Sequence, residues 1–295
     1  NAQNGFDEVW RLPIDPNDYL VHRESAAYAD RVVAILDNGN PATKVDLLIL
    51  GDGYTEDEHD DFIAKAKEMG VSLAGIASVK DLKASKSYEI YDRRPFYEEY
   101  KGVDWPEKYK SVLAFALEHP RSDPVLDWWS MKVPGFTPGN RILRRQSRQL
   151  RVWLEKEMGI GALSLPYQIE YGGVLLKDAS VLAGLGTIGK NNLLVTPEFG
   201  TRVRLRGLFI EAELTPTGPI DFDPCSGCDM PCQKVCPRKA FPDGKFERDL
   251  CRQETDLRDA TMEMLDGEIM GIEVPSLVSK YCRKCEFACP VAQKR

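Results

Sequence analysis

The pattern of hydrophobic and polar positions predicts a layered α/β fold in the first part of the chain. Val45–Leu50 is an unbroken apolar run typical of a buried strand, and a helical pattern begins after Thr55 and ends at Gly70. Val71–Ala77 is a second apolar run. A strand, a helix and a second strand in this order predict a β-α-β unit. The buried stripe of the helix is Phe62, Ile63, Ala66 and Met69.

Beyond residue 110 the same patterns predict a long helix and four strands. Thr137 is a helix N-cap with Pro138 at the first helical position, and Gly159 closes the helix. The predicted strands are Ser111–Leu117, Tyr167–Lys177, Leu193–Thr196 and Arg202–Glu211.

Two of these elements carry a basic face. A basic helix face is usually only solvated, with phosphate or tRNA binding as the alternative. The basic strand face leaves two interpretations open, solvent or an anionic group of a cofactor. The helix carries Arg141, Arg144, Arg145, Arg148 and Arg151. In the last strand the basic face is Arg202, Arg204 and Arg206, and the opposite face is Val203, Leu205 and Gly207.

Length, composition and charge narrow the class of protein. A chain of 295 residues, 43% hydrophobic and 29% charged, is long enough to bury a core and hold about two or three structural units. Its net charge of −7 gives no overall attraction to nucleic acid. No apolar run approaches the roughly 18 residues of a membrane span. We therefore expect no membrane segment, and the free thiols described next indicate a reducing, cytoplasmic location.

All eight cysteines lie in the last quarter of the chain, in two groups. The first group has the spacing C-x2-C-x3-C-x3-C-P, and the second ends in C-x2-C-x3-C-P. Ferredoxin-type motifs for [4Fe–4S] clusters have this form, with a second gap one residue shorter, and their proline-flanked cysteine binds the other cluster. This rule assigns Cys225, Cys228, Cys232 and Cys289 to one cluster and Cys236, Cys251, Cys282 and Cys285 to the other.

Two alternatives explain the eight cysteines less well. Disulfide frameworks belong to short secreted chains without a large core, whereas about 220 cysteine-free residues precede Cys225. Structural zinc sites use C-x2-C pairs, but the C-x3-C-P endings favour clusters. Two iron–sulfur clusters are therefore the leading interpretation, and zinc stays open.

A glycine-rich loop, Leu182–Asn192, precedes the cysteines. Gly184, Gly186 and Gly189 have the G-x-G-x-x-G spacing, but a short strand follows where a dinucleotide site requires a helix. Asn191 stands where a phosphate-binding P-loop requires Ser or Thr. We interpret the glycines as backbone that passes close to a flat cofactor or a cluster.

From about Phe62 to the C-terminus, the chain resembles the superfamily of epoxyqueuosine reductases and corrinoid reductive dehalogenases. The order of the two cysteine groups is one part of this resemblance. The other part is three segments: AKEMGVSLAGIAS at Ala66–Ser78, YKSVLAFALEHP at Tyr109–Pro120, and the block from Glu170 through AGLGTIGKNNLLVTPEFG at Ala183–Gly200.

The resemblance implies a mixed α/β core that binds cobalamin, followed by a ferredoxin-like domain with two [4Fe–4S] clusters. We expect an N-terminal extension of unknown role at residues 1–55, the corrinoid-binding core at 56–220 and the double-cluster domain at 221–295. The loop residues implied to cradle the corrin are Gly184, Gly186, Gly189, Lys190, Asn191 and Asn192.

The same resemblance points to a catalytic acid. Glu170-Tyr171-Gly172 stands where epoxyqueuosine reductases carry Asp-Thr-Gly, whose Asp is the expected proton donor. Either Glu170 or Tyr171 is therefore the implied acid, and burial would raise the pKa of a carboxyl toward that role. The departure from Asp leaves the epoxide substrate open.

The implied activity is the reductive cleavage of a carbon–oxygen or carbon–halogen bond by Co(I). The expected substrate is a small molecule or a modified nucleoside, and the expected electron donor is an external ferredoxin or flavodoxin. tRNA is a weaker expectation, because the chain is acidic and ends five residues after Pro290, where epoxyqueuosine reductases continue into a helical-repeat domain. The alternatives are a non-catalytic two-cluster electron carrier and a reductive activator of another corrinoid protein.

A second, weaker resemblance covers residues 41–65, which are similar to the N-terminal strand and helix of IgA-protease-like zinc metallopeptidases. That family requires an HExxH helix, which this chain lacks. The three histidines, His22, His59 and His119, have no metal-ligand spacing. We therefore expect no peptidase function.

Overall fold

A computed structural model describes most of the chain from Glu56 onwards. The described residues all lie in one compact unit, Ile49–Arg295. The predicted strand Val45–Leu50, and with it the first β-α-β unit, lies outside them. The boundary expected near residue 220 stays a prediction. The described ranges are 56–85, 105–131, 136–167, 174–265, 268–269, 272–273 and 276–293.

The described residues form seven helices and eleven strands, with 3₁₀ turns at Pro124–Asp127 and Pro242–Gly244. The helices are α1 (Glu56–Glu68), α2 (Val79–Lys83), α3 (Pro138–Lys156), α4 (Leu176–Leu182), α5 (Pro231–Lys234), α6 (Arg248–Ala260) and α7 (Lys284–Ala288). The strands are β1 (Leu73–Ser78), β2 (Ser111–Glu118), β3 (Trp128–Trp129), β4 (Ala162–Ser164), β5 (Thr187–Ile188), β6 (Leu194–Val195), β7 (Val203–Ile210), β8 (Glu263–Leu265), β9 (Glu268–Ile269), β10 (Ile272–Glu273) and β11 (Ser276–Lys280).

A four-stranded antiparallel sheet with the order β1-β2-β7-β4 forms the centre of this unit. Strands β2 and β7 pair over their whole length, from Ser111 opposite Ile210 to Glu118 opposite Val203. A smaller sheet, β3-β11-β8, brings Trp128 opposite Lys280. The chain segment before the last cysteines is therefore a strand of a sheet rather than a free linker.

Helices cover both faces of the central sheet. On one face, Phe62 of α1 and Leu150 of α3 share a core with Phe115 of β2. On the other face, Leu82 of α2 shares a core with Val112 of β2. Successive side chains of a strand point to opposite faces, so a strand between two helix layers is apolar without alternation. This explains the continuous apolar run of β2 and confirms a layered, mixed α/β fold.

Several predicted elements are confirmed. α1 begins directly after Thr55, and α3 begins at Pro138 with the Thr137 hydroxyl accepting a hydrogen bond from the Asn140 N–H. Strands β1, β2, β6 and β7 lie inside or within one residue of their predicted ranges. No helix in the described part of the chain is long and apolar enough to cross a membrane.

The strand predicted at Tyr167–Lys177 is wrong where the structure describes it. Leu176 and Lys177 begin helix α4, and residues 174–175 belong to no strand. The end of this helix lies close against β1 because Gly75 has no side chain: a Cβ added there would lie 2.0 Å from the Ala183 carbonyl oxygen. Over so few residues, an apolar stretch that packs a helix against a sheet does not show whether its hydrophobic positions repeat as in a helix or as in a strand.

Gly75→Ala is expected to lower the free energy of unfolding by about 1–3 kcal/mol, because the added methyl group would collide with the backbone of Ala183. The matched control is Gly207→Ala in β7, where the nearest atom is the end of the Leu165 side chain at 3.1 Å. That side chain can move, so the control should change the free energy by less than about 1 kcal/mol. Urea unfolding midpoints check both values, and equal effects would contradict the close contact at Gly75.

Candidate functional site

Three thiols of the first cysteine group lie close to a thiol from the end of the chain. Burial raises the pKa of Cys232, and the neighbouring thiols of Cys289, Cys225 and Cys228 raise it further. Burial also raises the pKa of Cys289. A hydrogen bond from the Val291 backbone lowers this pKa, and the neighbouring thiols of Cys225 and Cys228 raise it. These four sulfurs form what we call the first thiol set.

The remaining four sulfurs form the second thiol set. Burial raises the pKa of Cys285 to about 12, with contributions from Cys282, Cys251 and Cys236. Burial followed by Cys236 and Cys282 likewise raises the pKa of Cys251. The structure thus brings Cys289 to the first group of cysteines and Cys236 to the last group. That the two sets hold clusters stays a prediction.

The donor chemistry of the two sets fits iron–sulfur clusters. All eight sulfurs are free thiols. Among the described residues, no three His, Cys, Asp or Glu side chains are placed to share a single metal ion. A cubane cluster binds its four cysteines at four different iron atoms, so the sulfurs stand further apart than around one zinc ion. The raised thiol pKa values mean that iron would have to displace protons on binding.

The glycine loop is a β-hairpin whose tip touches the first thiol set. Strands β5 and β6 pair and enclose residues 189–193. The backbone N–H of Lys190 donates to the sulfur of Cys225 at 3.4 Å, and a Cβ added at Gly189 would lie 3.6 Å from the same sulfur. Hydrogen bonds to cysteine sulfur stabilise its negative charge and are one means of setting a cluster potential. The hairpin tip is therefore an immediate neighbour of Cys225.

Gly184 and Gly186 make close contacts within the protein instead. A Cβ at Gly186 would lie 2.2 Å from the Val195 carbonyl oxygen, and a Cβ at Gly184 would lie 2.7 Å from the Gly218 carbonyl oxygen. Gly184 also has φ of +72°, a backbone conformation that favours glycine. These close contacts are with the protein's own backbone, and an approach of the two glycines to a cofactor stays a prediction.

The other residues of the hairpin tip are fixed from within the fold. Asn191 is buried, and its Oδ1 accepts the Leu193 N–H at 3.2 Å. The Lys177 ammonium donates to the backbone oxygen of Asn192 at 2.8 Å and to its Oδ1 at 3.0 Å, and burial lowers the pKa of Lys177. The Lys190 side chain is exposed. Of these residues, Lys190 presents an exposed ammonium, whereas the amide oxygens of Asn191 and Asn192 accept hydrogen bonds from within the fold.

The two candidate acids, Glu170 and Tyr171, lie outside the described residues, which end at Tyr167 and resume at Val174. Their position relative to the hairpin therefore stays a prediction. Lys177, three residues after this gap, contacts the hairpin tip, so the segment that follows the acids is anchored there.

A buried ion network, which the sequence did not indicate, joins the central sheet to the second cysteine group. The carboxylate of Asp127 lies 2.9 Å from Nε of Arg204 and 2.8 Å from Nη1 of Arg283. The carboxylate of Glu286 accepts from the same two arginines at 3.0 Å and 3.1 Å. Asp127, Arg283 and Glu286 are each less than 9% exposed. Two cations and two anions thus neutralise one another inside the protein.

His119 completes this network at the end of β2. Its Nδ1 lies 2.9 Å from Asp127, and its backbone oxygen accepts Nη2 of Arg283 at 2.6 Å. Burial lowers the pKa of His119 and outweighs the opposing effect of Asp127, so the imidazole is neutral at pH 7. Burial alone would raise the pKa of Asp127, but His119 and the two arginines lower it, so this carboxyl stays ionised.

The basic face of β7 is covered by the protein, so the interpretation of a solvent-facing surface is wrong in the described structure, and that of a face that meets a cofactor stays a prediction. Arg202 donates to the Ala292 backbone oxygen at 2.9 Å, Arg204 belongs to the ion network, and Arg206 donates to Oδ1 of Asn140. Arg202 and Arg206 are buried. The alternation indicated a basic face, but only the fold shows that the C-terminal segment and α3 cover it. One sequence signal for the ion network was available: Arg283 and Glu286 lie between Cys282 and Cys289, and binding a cluster requires the cysteines there but not these charged side chains.

The chain is similar to proteins of two oxidoreductase groups. It is 28% identical over 193 residues to the epoxyqueuosine reductase of Lactococcus garvieae (strain Lg2), which covers 62% of this chain and 52% of that protein. It is 31% identical over 153 residues to the tetrachloroethene reductive dehalogenase of Dehalobacter restrictus, which covers 50% of this chain and 25% of that protein. The chain therefore spans about half the length, or less, of these curated relatives.

Two solved structures show the same fold. An epoxyqueuosine reductase with an epoxyqueuosine-modified tRNA-Tyr stem loop has a TM-score of 0.54 at 21% identity, covering 80% of this chain and 66% of that chain. A reductive dehalogenase whose structure suggests a mechanism for B12-dependent dehalogenation has a TM-score of 0.51 at 19% identity, covering 82% and 33%. At these identities the likeness establishes the mixed α/β fold alone.

A family model for IgA Peptidase M64 matches residues 33–113. This match agrees with the weaker resemblance at residues 41–65. Strand β1 and the start of β2, which lie in the matched range, belong to the central sheet with β7. The chain lacks the HExxH zinc motif, so the match supports no peptidase function.

Arg204→Met is expected to destabilise the protein by about 3 kcal/mol, because it leaves Asp127 and Glu286 with one buried cation between them. For a chain of this size the apparent melting temperature should fall by about 6–12 °C. Arg145→Met on the exposed side of α3 is the control and should change the stability by less than about 0.5 kcal/mol.

A double variant separates the charge effect from packing. Adding Glu286→Gln to Arg204→Met removes one anion as well as one cation, so part of the lost stability should return. If the double variant lost more free energy of unfolding than the two single variants lose together, charge balance would be contradicted as the function of the network.

Proposed function

We propose that the chain is the core of a corrinoid-dependent reductase that takes electrons through two [4Fe–4S] clusters and cleaves a carbon–oxygen or carbon–halogen bond by reduction. The contact between the glycine hairpin and Cys225 carries this proposal, because it joins the residues expected to hold the corrin to a sulfur expected to bind a cluster. The two groups of relatives are named for reductions of these two kinds. The proposed boundary between the corrinoid-binding core and the double-cluster domain lies at residues 220 and 221.

The arrangement of the thiol sets supports an electron path of two steps. Helix α5 contains Cys232 and is followed by Cys236, and helix α7 carries Cys285 with Cys289 directly after it, so each helix places sulfurs of both sets. The two helices pack against each other. Because the first set touches the glycine hairpin, the second set is the outer one. Electrons would enter at the second thiol set and leave from the first toward the hairpin.

The chain's own residues would bind, orient and supply protons. When bound, the corrin supplies low-valent cobalt, which attacks or reduces the substrate bond. The Lys190 N–H stabilises the Cys225 sulfur, and Lys177 fixes the hairpin tip through Asn192. Lys190, Asn191 and Asn192, with the three glycines of the loop, are the proposed corrin-binding residues. Glu170 or Tyr171 would donate a proton to the leaving atom or to the reduced carbon.

The substrate class that we propose is a small organic molecule or a modified nucleoside. One solved neighbour is an epoxyqueuosine reductase with a modified tRNA stem loop, which supports the nucleoside class. On α3, Arg145 and Arg148 are exposed, but Arg151 is paired with Glu155 at 2.8 Å. With a net charge of −7 as well, tRNA stays the weaker proposal. The proposed donor of electrons is a ferredoxin or flavodoxin.

Cys282→Ala is expected to lower the iron content from about eight to about four atoms per chain, since only the second thiol set loses a ligand. Cys225→Ala is the matched control in the first set and should leave the other four. Anaerobic reconstitution followed by iron and sulfide analysis checks both variants. Complete loss of iron in both would show that the two sites do not assemble independently, and zinc instead of iron would contradict the clusters.

Reconstitution with cobalamin tests the corrin. We expect about one cobalt per chain and the absorption spectrum of protein-bound cobalamin. Glu170→Gln should keep this binding and slow turnover by about 100-fold or more, because a general acid contributes that much to a rate. Tyr171→Phe is the companion variant that decides between the two acids. Clusters without bound cobalt would contradict the proposal and favour an electron carrier or a reductive activator.

A further inference from the structure

An apolar depression with a basic rim lies beside the second thiol set, and we name it the Cys282 depression. It has a volume of about 350 Å³ and reaches Cys282 itself. Its walls include the aromatic rings of Trp128, Tyr281 and Phe287. Cys236, Cys251 and Cys285 do not line it, so it is not the space in which these four sulfurs would enclose a cluster. It is a separate surface that ends on one ligand of the outer set.

The rim of the depression is formed by Arg258, Lys280 and Lys284. Arg258 is paired with Glu254 at 3.0 Å, and Lys280 is paired with Glu263 and lies 4.8 Å from the centre of the Trp128 ring. Lys284 is exposed, and no carboxylate among the described residues pairs with it. Lys284 is thus the cation of this rim whose charge is free to act on a partner.

A second, shallower depression continues this surface on the other side of Phe287. It is lined by Arg121, Val235, Lys284, Phe287 and Ala288. Arg121 is exposed and stacks on Phe287, with its guanidinium 4.8 Å from the ring centre, and it donates to the Phe287 backbone oxygen at 2.7 Å. Val235 is 42% exposed although it is apolar. Aromatic and apolar residues at the centre with Arg and Lys around them form the usual composition of a protein interface.

The charges near this surface do not all attract an anion. Glu254, Glu263 and Asp259 lie beside it, and the first two are held by Arg258 and Lys280. Asp259 acts on Tyr281, whose pKa burial and this carboxylate together raise to about 12. Asp127, Glu286, Arg204 and Arg283 cancel in the ion network. Of the cations that line the two depressions, Arg121 and Lys284 have no carboxylate partner among the described residues, and both lie next to Phe287 in the second depression.

We propose that the surface around Phe287 is the docking site of an acidic electron-donor protein of the flavodoxin or ferredoxin type. The proposal rests on the proposed function, in which the second thiol set holds the outer cluster. On a chain with a net charge of −7, two cations without acidic partners beside Cys282 give an acidic protein one place to approach. One electron passes from the reduced donor to the cluster held by Cys282, so the donor is oxidised and the cluster reduced by one electron. No bond forms or breaks in this step.

Charge complementarity favours a protein over a small reductant as the occupant. A small molecule is usually held in a pocket that buries most of its surface, whereas this surface consists of two open depressions that share Lys284 and Phe287. A protein can cover Phe287, Val235 and Lys284 together. A nucleic acid is the other anionic macromolecule that such a surface could meet, and the experiment includes it as an outcome.

The test is Lys284→Glu in the complete, anaerobically reconstituted chain, with Lys67→Glu on α1 as the control of equal charge change. Both lysines are exposed. Flavodoxin hydroquinone, an acidic donor, is mixed with each protein, and its semiquinone absorbance reports the electron transferred. We expect Lys284→Glu to slow this transfer about tenfold at low ionic strength, and Lys67→Glu to change it by less than about twofold. Reduced methyl viologen, a small cation, should reduce all the proteins at similar rates.

Binding provides a readout that does not depend on clusters. Immobilised flavodoxin should bind the unmodified chain more weakly as salt increases, and Lys284→Gln should weaken binding less than Lys284→Glu does. Iron content, measured on each sample, judges the proposed function separately from docking. Equal flavodoxin binding by Lys284→Glu and by the unmodified chain would overturn the docking site. Binding of an RNA oligonucleotide that Lys284→Glu abolishes, without any binding of flavodoxin, would overturn it as well.

Discussion

The fold of this chain depends on the buried ion network between the central sheet and the last cysteines. Asp127 and Glu286 each contact both Arg204 and Arg283, so no member can leave without exposing another charge to a poorly solvated interior. Networks of this kind add little net stability compared with apolar packing, but they permit only one arrangement of the groups. Here that arrangement fixes α7 at the N-terminal end of β7, where the Thr201 hydroxyl donates to the Glu286 backbone oxygen at 2.7 Å. The positions of Cys282, Cys285 and Cys289 follow from this attachment.

The same attachment explains how thiols distant in sequence can meet. Cys289 must return to a set whose other members lie at Cys225, Cys228 and Cys232, and closing so long a segment has an entropic cost. Strand β11 and the ion network hold this segment against the rest of the fold at points between the two groups of sulfurs and within the second. The cluster ligands therefore need only local ordering. Charged side chains that do not themselves bind iron thus hold the cysteine-bearing segment in position.

The glycine hairpin shows that one sequence signal can have two physical causes. Glycines occur where a backbone or ligand comes too close for a side chain, and the spacing alone does not identify the neighbour. In this fold the neighbour is the protein's own backbone at Gly184 and Gly186, and at Gly189 it is the Val195 side chain, 2.7 Å from an added Cβ, with the Cys225 sulfur further away at 3.6 Å. The hydrogen bonds from Lys177 to Asn192 and from the Lys190 N–H to the Cys225 sulfur keep the hairpin tip in place beside the first thiol set. A tip held in this way can position a bound group without rearranging.

The sequence by itself determined what is local: the helix caps at Thr137 and Pro138, the apolar strands β1 and β2, and the two cysteine motifs with their prolines. These features depend on a few neighbouring residues, so their pattern is visible along the chain. The tertiary structure alone decided the rest. It turned Leu176–Leu182 into a helix, covered the arginines of β7, and joined Asp127, Arg204, Arg283 and Glu286 from separate elements. Each of these results from contacts between residues far apart in sequence, where buried charge and close packing outweigh local preference.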